Sequence, residues 1–307
     1  MSADFIELVL ITIVTAAIPL LLAAIGELVA ERAGVLNLGV EGMMIMGAVF
    51  GFAGSWLTGS SLIGALCGIA AGVALASLFA LLVIGLAVNQ VAAGLALTIL
   101  GLGISGLAGT GFVGLKREAA PHLHIPGLSD LPLVGRLIFG EDFFAYFAVA
   151  LVIGVSFFLN RSRAGLSLRA IGDNHASAHA LGLPVRQTRL LAILFGGGCA
   201  GLAGAYLSLA YTPFWSPGMT AGRGWIALAL VVFASWRPWR VMGGAVLFGG
   251  ATILQLHAQA FGLGWPGQLL SSLPYAATIV ALVLLSLGVK RGSTAPAALG
   301  QAFIPDR

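Results

Sequence analysis

Between Gly26 and Gly42 the chain reads Gly-Glu-Leu-Val-Ala-Glu-Arg-Ala-Gly-Val-Leu-Asn-Leu-Gly-Val-Glu-Gly, so that Glu27, Glu31, Arg32, Asn37 and Glu41 interrupt apolar sequence. Gly34, Gly39 and Gly42 permit an unwound stretch here, and the helix ends it creates would offer free N–H and C=O groups to a polar molecule. The same residues also suit an ordinary turn at a membrane surface, with charged side chains reaching back to water. Other polar groups are stranded further along: Asn89, Gln90, Thr98, Ser105 and Gln255. Polar side chains within a membrane tend to face the bundle interior. Together with Asn37 and Glu41 these five are candidates for lining a solute pathway, while helix–helix hydrogen bonding accounts for any one of them taken singly.

Arg169-Ala-Ile-Gly-Asp-Asn-His-Ala-Ser-Ala-His-Ala-Leu-Gly-Leu-Pro184 is a different kind of segment. Asp173 or Asn174 can cap a short helix, Ala176 to Leu181 can continue it, and Gly182 with Pro184 ends it. Such a helix between two membrane spans suits a partner's groove. A solvated loop that only sets topology fits the same letters.

Several apparent motifs carry no chemistry. Gly101, Gly103 and Gly106 match G-x-G-x-x-G, but no strand precedes them and no βαβ unit surrounds them, so they read as helix packing. His122 and His124 have ligand spacing without a Cys or another His nearby, which favours a solvated loop. His257 stands alone at the end of a span. Trp236 and Trp239, flanking Pro238 between Arg237 and Arg240, fit an interfacial anchor. Cys67 and Cys199 both lie in apolar runs and build neither a disulfide framework nor a metal site. No G-x-x-x-x-G-K-[ST] loop is present, and neither Lys116 nor Lys290 follows one.

The elements that hold these residues follow from composition. Hydrophobic residues make up 59% of the 307 and charged residues 8%, against about 25% charged in a soluble domain. No Asp, Glu, Lys or Arg occurs in 42–115, 143–160, 190–222 or 241–289. A span needs about 20 apolar residues to cross a core of about 30 Å, so these runs hold about seven spans, and Leu8 to Gly26 and the short stretch Trp225 to Trp236 bring the total to about nine. They are continuously apolar, whereas a barrel would alternate. The expected fold is therefore an all-α, polytopic transmembrane helix bundle, with a broken or re-entrant segment near 26–42. Spans are expected at 6–25, 43–58, 62–87, 91–110, 143–160, 190–211, 224–236, 241–260 and 273–289. Gly197 and Gly201, four apart, suit close helix approach. The N-terminus, with Asp4 and Glu7, reads as a retained span and not as a signal peptide.

Cytoplasmic loops collect Lys and Arg. Arg161, Arg163, Arg169, Arg186 and Arg189 face a single acid, Asp173, which places 161–189 inside. Counting spans from there puts the N-terminus outside and the C-terminus in the cytoplasm. Residues 1–291 form one transmembrane domain, and 292–307, rich in Ala and containing Ser and Pro, are expected to be a poorly ordered tail. The net charge of +4 gives no sign of nucleic-acid binding, because the arginines gather beside spans.

Gly34-Val-Leu-Asn-Leu-Gly-Val-Glu-Gly-Met-Met resembles the signature of permeases from the branched-chain amino acid, ribose and nucleoside importer family, nearest to the shorter permease of nucleoside-type systems. Arg169-Ala-Ile-Gly-Asp-Asn through Ala178, with Leu181-Gly-Leu, resembles that family's cytoplasmic coupling segment, and a helix ending Ala200-Gly-Leu-Ala-Gly-Ala-Tyr-Leu follows. Asn89-Gln-Val with Gly94 and Leu97 is a third match. The chain has Thr98 where the family often has Asn. The resemblance covers about 20–290 and implies a permease domain of an ATP-binding-cassette importer in a bacterial-type plasma membrane. It implies a second permease, a cytoplasmic ATPase that carries ATP and Mg, and an extracytoplasmic substrate-binding protein or lipoprotein, with no cofactor on this chain. It assigns ATPase coupling to Arg169, Ile171, Gly172, Asp173, Asn174, Ala178, Leu181 and Gly182. Nucleosides are the expected solute, with sugars and branched-chain amino acids behind. The competing class is a secondary transporter driven by an ion gradient, which the scarcity of mid-span acids disfavours. A membrane-embedded enzyme is disfavoured, because the sequence shows no H-E-x-x-H and no cluster of nucleophile, base and metal ligands.

Overall fold

The computed structural model describes residues 3–121, 139–260 and 295–304, with isolated positions between 269 and 283. The described residues form helices α1 (Ala3–Arg32), α2 (Val40–Thr58), α3 (Ser61–Ala80), α4 (Gln90–Ala108), α5 (Phe143–Arg161), α6 (Arg163–Asp173), α7 (His175–Ala180), α8 (Val185–Tyr206), α9 (Arg223–Phe233) and α10 (Pro238–Ala260). A π-helical turn extends α3 to Gly85 and another extends α8 to Tyr211. Among the described residues seven helices are long and apolar enough to cross a membrane, and α9 is a shorter apolar helix. The expected all-α bundle is what forms. Its ninth expected span, 273–289, lies outside the described residues except for single positions, as do His122, His124, Lys290 and Arg291.

Helix starts follow local sequence. Asn89 Oδ1 accepts the Ala92 N–H at 3.0 Å to cap α4, and Asp142 Oδ1 accepts the Ala145 N–H at 3.0 Å to cap α5. Ser162 caps α6 through the Gly165 N–H at 2.9 Å. Asn174, and not Asp173, caps α7 through the Ser177 N–H at 2.9 Å. Each cap satisfies a backbone donor that has no partner within the helix.

Lipid tails are as apolar as leucine, so packing here depends on close backbone approach. α8 supplies it at the centre of the bundle. A Cβ at Gly201 would collide with the Gly68 carbonyl, one at Gly197 with Ala76 and Gly72, and one at Gly204 with the Met44 carbonyl. The helix thereby holds α2 and α3 against itself, with α1 seated where Gly26 meets Gly196 and Cys199.

One boundary differs from expectation. The first span continues through Glu27 and Glu31 to Arg32, and the break is confined to 33–39. Both acids are buried within the bundle. Glu27 accepts from the Asn37 backbone inside the break and Glu31 from the distant Trp236 indole, so the helix need not end at Gly26 to give them partners.

Candidate functional site

The break between α1 and α2 is closed by its own polar residues. Gly34 adopts a φ of +83°, and the chain then crosses to Val40 without regular structure. The Asn37 N–H donates to Glu27 Oε1 at 3.1 Å, and Asn37 Oδ1 accepts the Gly39 N–H at 2.9 Å. α4 lies along the break and satisfies two more groups. Gln90 Oε1 accepts the Leu36 N–H at 2.8 Å, and the Thr98 hydroxyl donates to the Leu38 carbonyl at 3.0 Å. Gly94 lets α4 approach, since a Cβ there would stand 2.7 Å from the Leu38 nitrogen; Gly42 meets the Leu97 carbonyl at the same notional distance.

Glu41, in the first turn of α2, reaches the start of α9. Its Oε1 accepts the Thr220 hydroxyl at 2.6 Å and the Gly222 N–H at 2.9 Å, while Oε2 accepts the Gly224 N–H at 2.6 Å. A carboxyl group there also meets the positive end of the α9 dipole. Four of the seven pathway candidates, Asn37, Glu41, Gln90 and Thr98, therefore come together around one break, all buried. The other three do not join them. Asn89 is exposed and caps α4, Ser105 donates to the Leu102 carbonyl of its own helix at 3.0 Å, and Gln255 is half-buried on α10.

The coupling candidates occupy α6, α7 and the turn after them. Ile171 and Ala178 are buried and pack with Val185, Leu183 and Phe303. Gly172 is buried, with no space for a Cβ beneath the Arg32 carbonyl. Asp173 and Asn174 are exposed, and Arg169 is half-buried. Gly182 takes a φ of +81° and turns the chain, leaving Leu181 with 81% of its surface exposed.

The two parts touch through Gly172, Arg189 and residues 295–304. The Ala298 N–H donates to the Gly172 carbonyl at 2.9 Å, and the Gly300 N–H to the Gly34 carbonyl at 3.2 Å. Arg189, 3% exposed, donates from Nε to the Ala33 carbonyl at 3.2 Å and from one terminal nitrogen to the Gln301 carbonyl at 2.9 Å. Its other terminal nitrogen stands 3.3 Å from His175 Nδ1. Gln90 Nε2 donates to the Gln301 carbonyl at 3.3 Å, and the His175 and His179 rings meet Phe303 edge-on. Burial, with the Arg189 guanidinium beside it, holds the His175 imidazole below its usual pKa of 6.5. Within the expected tail 292–307, residues 298–303 thus lie between α6–α7 and the break.

The family model of the permease component of branched-chain amino acid transport systems matches residues 9–287. The chain belongs to this permease family. It is accordingly a transport subunit of an ATP-binding-cassette system and not itself an enzyme; in such systems ATP is used by partner ATPases. Three relatives span nearly the whole permease. A Haloferax volcanii protein, named "Putative glucose ABC transporter permease protein TsgC13", is 46% identical over 88% of each chain. The guanosine ABC transporter permease protein NupQ of Bacillus subtilis is 31% identical over 95% of each. The nucleoside ABC transporter permease protein NupC of Lactococcus lactis is 30% identical over 87% of this chain and 88% of its own.

Sequence reasoning missed several residues that build the permease's junction. Arg189 was read only as a charge that sets topology. Thr220, which meets Glu41, carried no signal, and Trp236, expected as an interfacial anchor beside Trp239, is instead buried with its indole N–H donating to Glu31 Oε2. Ala298, Gly300 and Gln301 act through backbone groups, which leave no mark in side-chain pattern.

Proposed function

We propose that this permease forms part of the import pathway for a small hydroxyl-rich solute, a nucleoside or a sugar, and that an ATPase drives it through α6 and α7. The observation that supports the drive is the direct wiring of Gly172, Arg189 and residues 298–301 to the α1–α2 break. A push on α7 would reach that break without crossing a flexible joint. Closure of an ATPase dimer on ATP would displace α7 as a body, and α1, α2 and α4 would tilt with it. This is a two-state element biased by a remote ligand.

The arginine-rich face that includes α6 and α7 is cytoplasmic in this reading, with the N-terminus outside. The full system adds a second permease and an extracytoplasmic binding protein, in a bacterial-type plasma membrane. The guanosine and nucleoside permeases among the relatives favour nucleosides. The glucose permease name attached to the 46% identical relative is a specific reason to keep a sugar as the second reading.

The test is uptake of labelled guanosine and labelled glucose by vesicles that hold this permease with its ATPase, second permease and binding protein. Uptake of one solute that needs ATP hydrolysis and survives an ionophore is expected. Uptake by this chain alone that an ionophore abolishes would replace the proposal with ion-gradient transport.

A further inference from the structure

A cavity of about 550 Å³ lies where the end of α1, the end of α5, α6 and the turn into α10 meet. Arg32, Arg169, Arg237 and Arg240 line it, with Trp239 and Asn160. No acidic side chain is among its described lining residues. Asp173 acts electrostatically on Arg32 from one turn beyond Arg169, and Glu31 nearby is engaged by the Trp236 indole. Four guanidinium groups thus converge with less negative charge than positive charge around them. Arg169 Nε is moreover buried without a hydrogen-bond partner. Gathered cations with an unmet donor favour a bound anion, and the planar guanidinium fork suits phosphate oxygens.

The backbone that builds this cavity is strained. Ser235 and Trp236 are consecutive non-glycine residues with φ of +52° and +55°. L-residues rarely adopt this left-handed conformation. The strain is held by Trp236, whose indole reaches Glu31 and whose carbonyl accepts from Arg32 Nε at 3.3 Å and a terminal nitrogen at 3.0 Å. This turn brings Arg237, Trp239 and Arg240 to face Arg169. It also starts α10 at Pro238, which adds the positive end of a long helix at the rim.

We propose that this cavity binds the phosphate of an anionic phospholipid headgroup, in the leaflet on the side of the coupling segment. The shared chemistry is a phosphate ester; membrane lipid is the source because the cavity lies at the ends of spans. Trp239 is 52% exposed at its rim, and Phe157, beside its lining residue Ser156, is 66% exposed. Indole rings settle at the headgroup level, and basic clefts between spans take anionic headgroups there. Arg169 stands on α6, so an occupied cavity ties the α9–α10 turn to the coupling segment. Only the naming of the leaflet rests on the proposed orientation.

The test uses the isolated permease in detergent, without ATPase, so its outcome is independent of transport. Native mass spectrometry would titrate phosphatidylglycerol against phosphatidylcholine, with inorganic phosphate and glycerol 3-phosphate as soluble competitors. One tightly held phosphatidylglycerol is expected, held about 30-fold more weakly by Arg237→Gln/Arg240→Gln at roughly one headgroup contact per arginine. Arg161→Gln/Arg163→Gln, exposed neighbours outside the cavity, should bind as the parent does. Equal loss in both double variants, or no preference over phosphatidylcholine, overturns the site. Displacement of the lipid by either soluble phosphate ion overturns the lipid source. Should the first double variant fail to fold, tryptophan quenching of the parent by brominated phosphatidylglycerol decides. Quenching that exceeds brominated phosphatidylcholine and falls in Trp239→Phe supports the site; equal quenching by the two lipids overturns it.

Discussion

Leu181 offers a test of coupling that does not disturb the fold. It ends α7 with 81% of its surface exposed, and its backbone N–H is already bonded to the Ser177 carbonyl at 3.1 Å. Replacing it with Ala removes three carbons that touch little of the permease. The isolated subunit should therefore keep its stability to within about 0.5 kcal/mol. If α7 sits in an ATPase groove, those carbons are buried only in the complex. At about 0.8 kcal/mol per carbon, scaled by the exposed fraction, the loss is about 2 kcal/mol, or about 30-fold in Kd. Leu181→Met, which conserves volume, should lose much less. The assay titrates the ATPase subunit onto nanodisc-embedded permease, with thermal melting of each variant alone as the control. An ATPase affinity unchanged by Leu181→Ala would refute the placement of α7 at the contact. A large fall in melting temperature of the isolated variant would show that the exposed knob is a structural residue.

Three further outcomes are expected. Glu41→Gln sets an amide N–H₂ against the Gly222 or the Gly224 N–H, whichever way the side chain is turned. One buried donor is then unmet, which costs about 1–3 kcal/mol and should lower the melting temperature; an unchanged value removes Glu41 as the clasp on α9. His175 Nδ1 can only accept from the Arg189 guanidinium, and its pKa is held below 6.5. The contact is thus complete above 6.5 and weakens as pH falls below it, so exchange at the Ala298 and Gly300 amides, corrected for intrinsic rate, should accelerate on acidification and do so less in His175→Phe. Burial first, and Asp142 second, push Glu141 up to about 7 from 4.5. Its contribution is complete below 4.5 and is lost as pH rises to about 7, so Glu141→Gln should flatten the melting profile across that window.

What the sequence made legible followed from local physics. Long uncharged runs specify spans because a helix satisfies its own backbone in lipid. The short helix α7 was visible because its cap, Asn174, and its stop, Gly182, are local signals. The break was visible as a glycine and charge cluster, but its limits were not. α1 runs on to Arg32, with Glu31 meeting an indole 205 positions away and Glu27 bonded within the break. Asn89 looked like a pathway group because its neighbours are apolar, yet its position before α4 made it a cap. The bridge from 298–303 was hidden because most of it is backbone, and small residues there resembled a loose end.

The buried acids bear on what powers the cycle. A carrier that is driven through a buried carboxyl group needs that group to trade its protein partners for an ion or a proton as access switches. Glu41 instead gives both oxygens to the 220–224 turn, through three donors. Glu27 gives one oxygen to the chain that follows its own helix, and Glu31 gives one to the Trp236 indole. To release any of these groups would open the α1–α2 break or free a turn with two left-handed residues. Glu41 in particular is committed to holding the 220–224 turn, which leaves it poorly placed to carry a coupling ion. In the proposed mechanism the drive enters instead through the α6–α7 segment, which meets the break at Gly172 and Arg189.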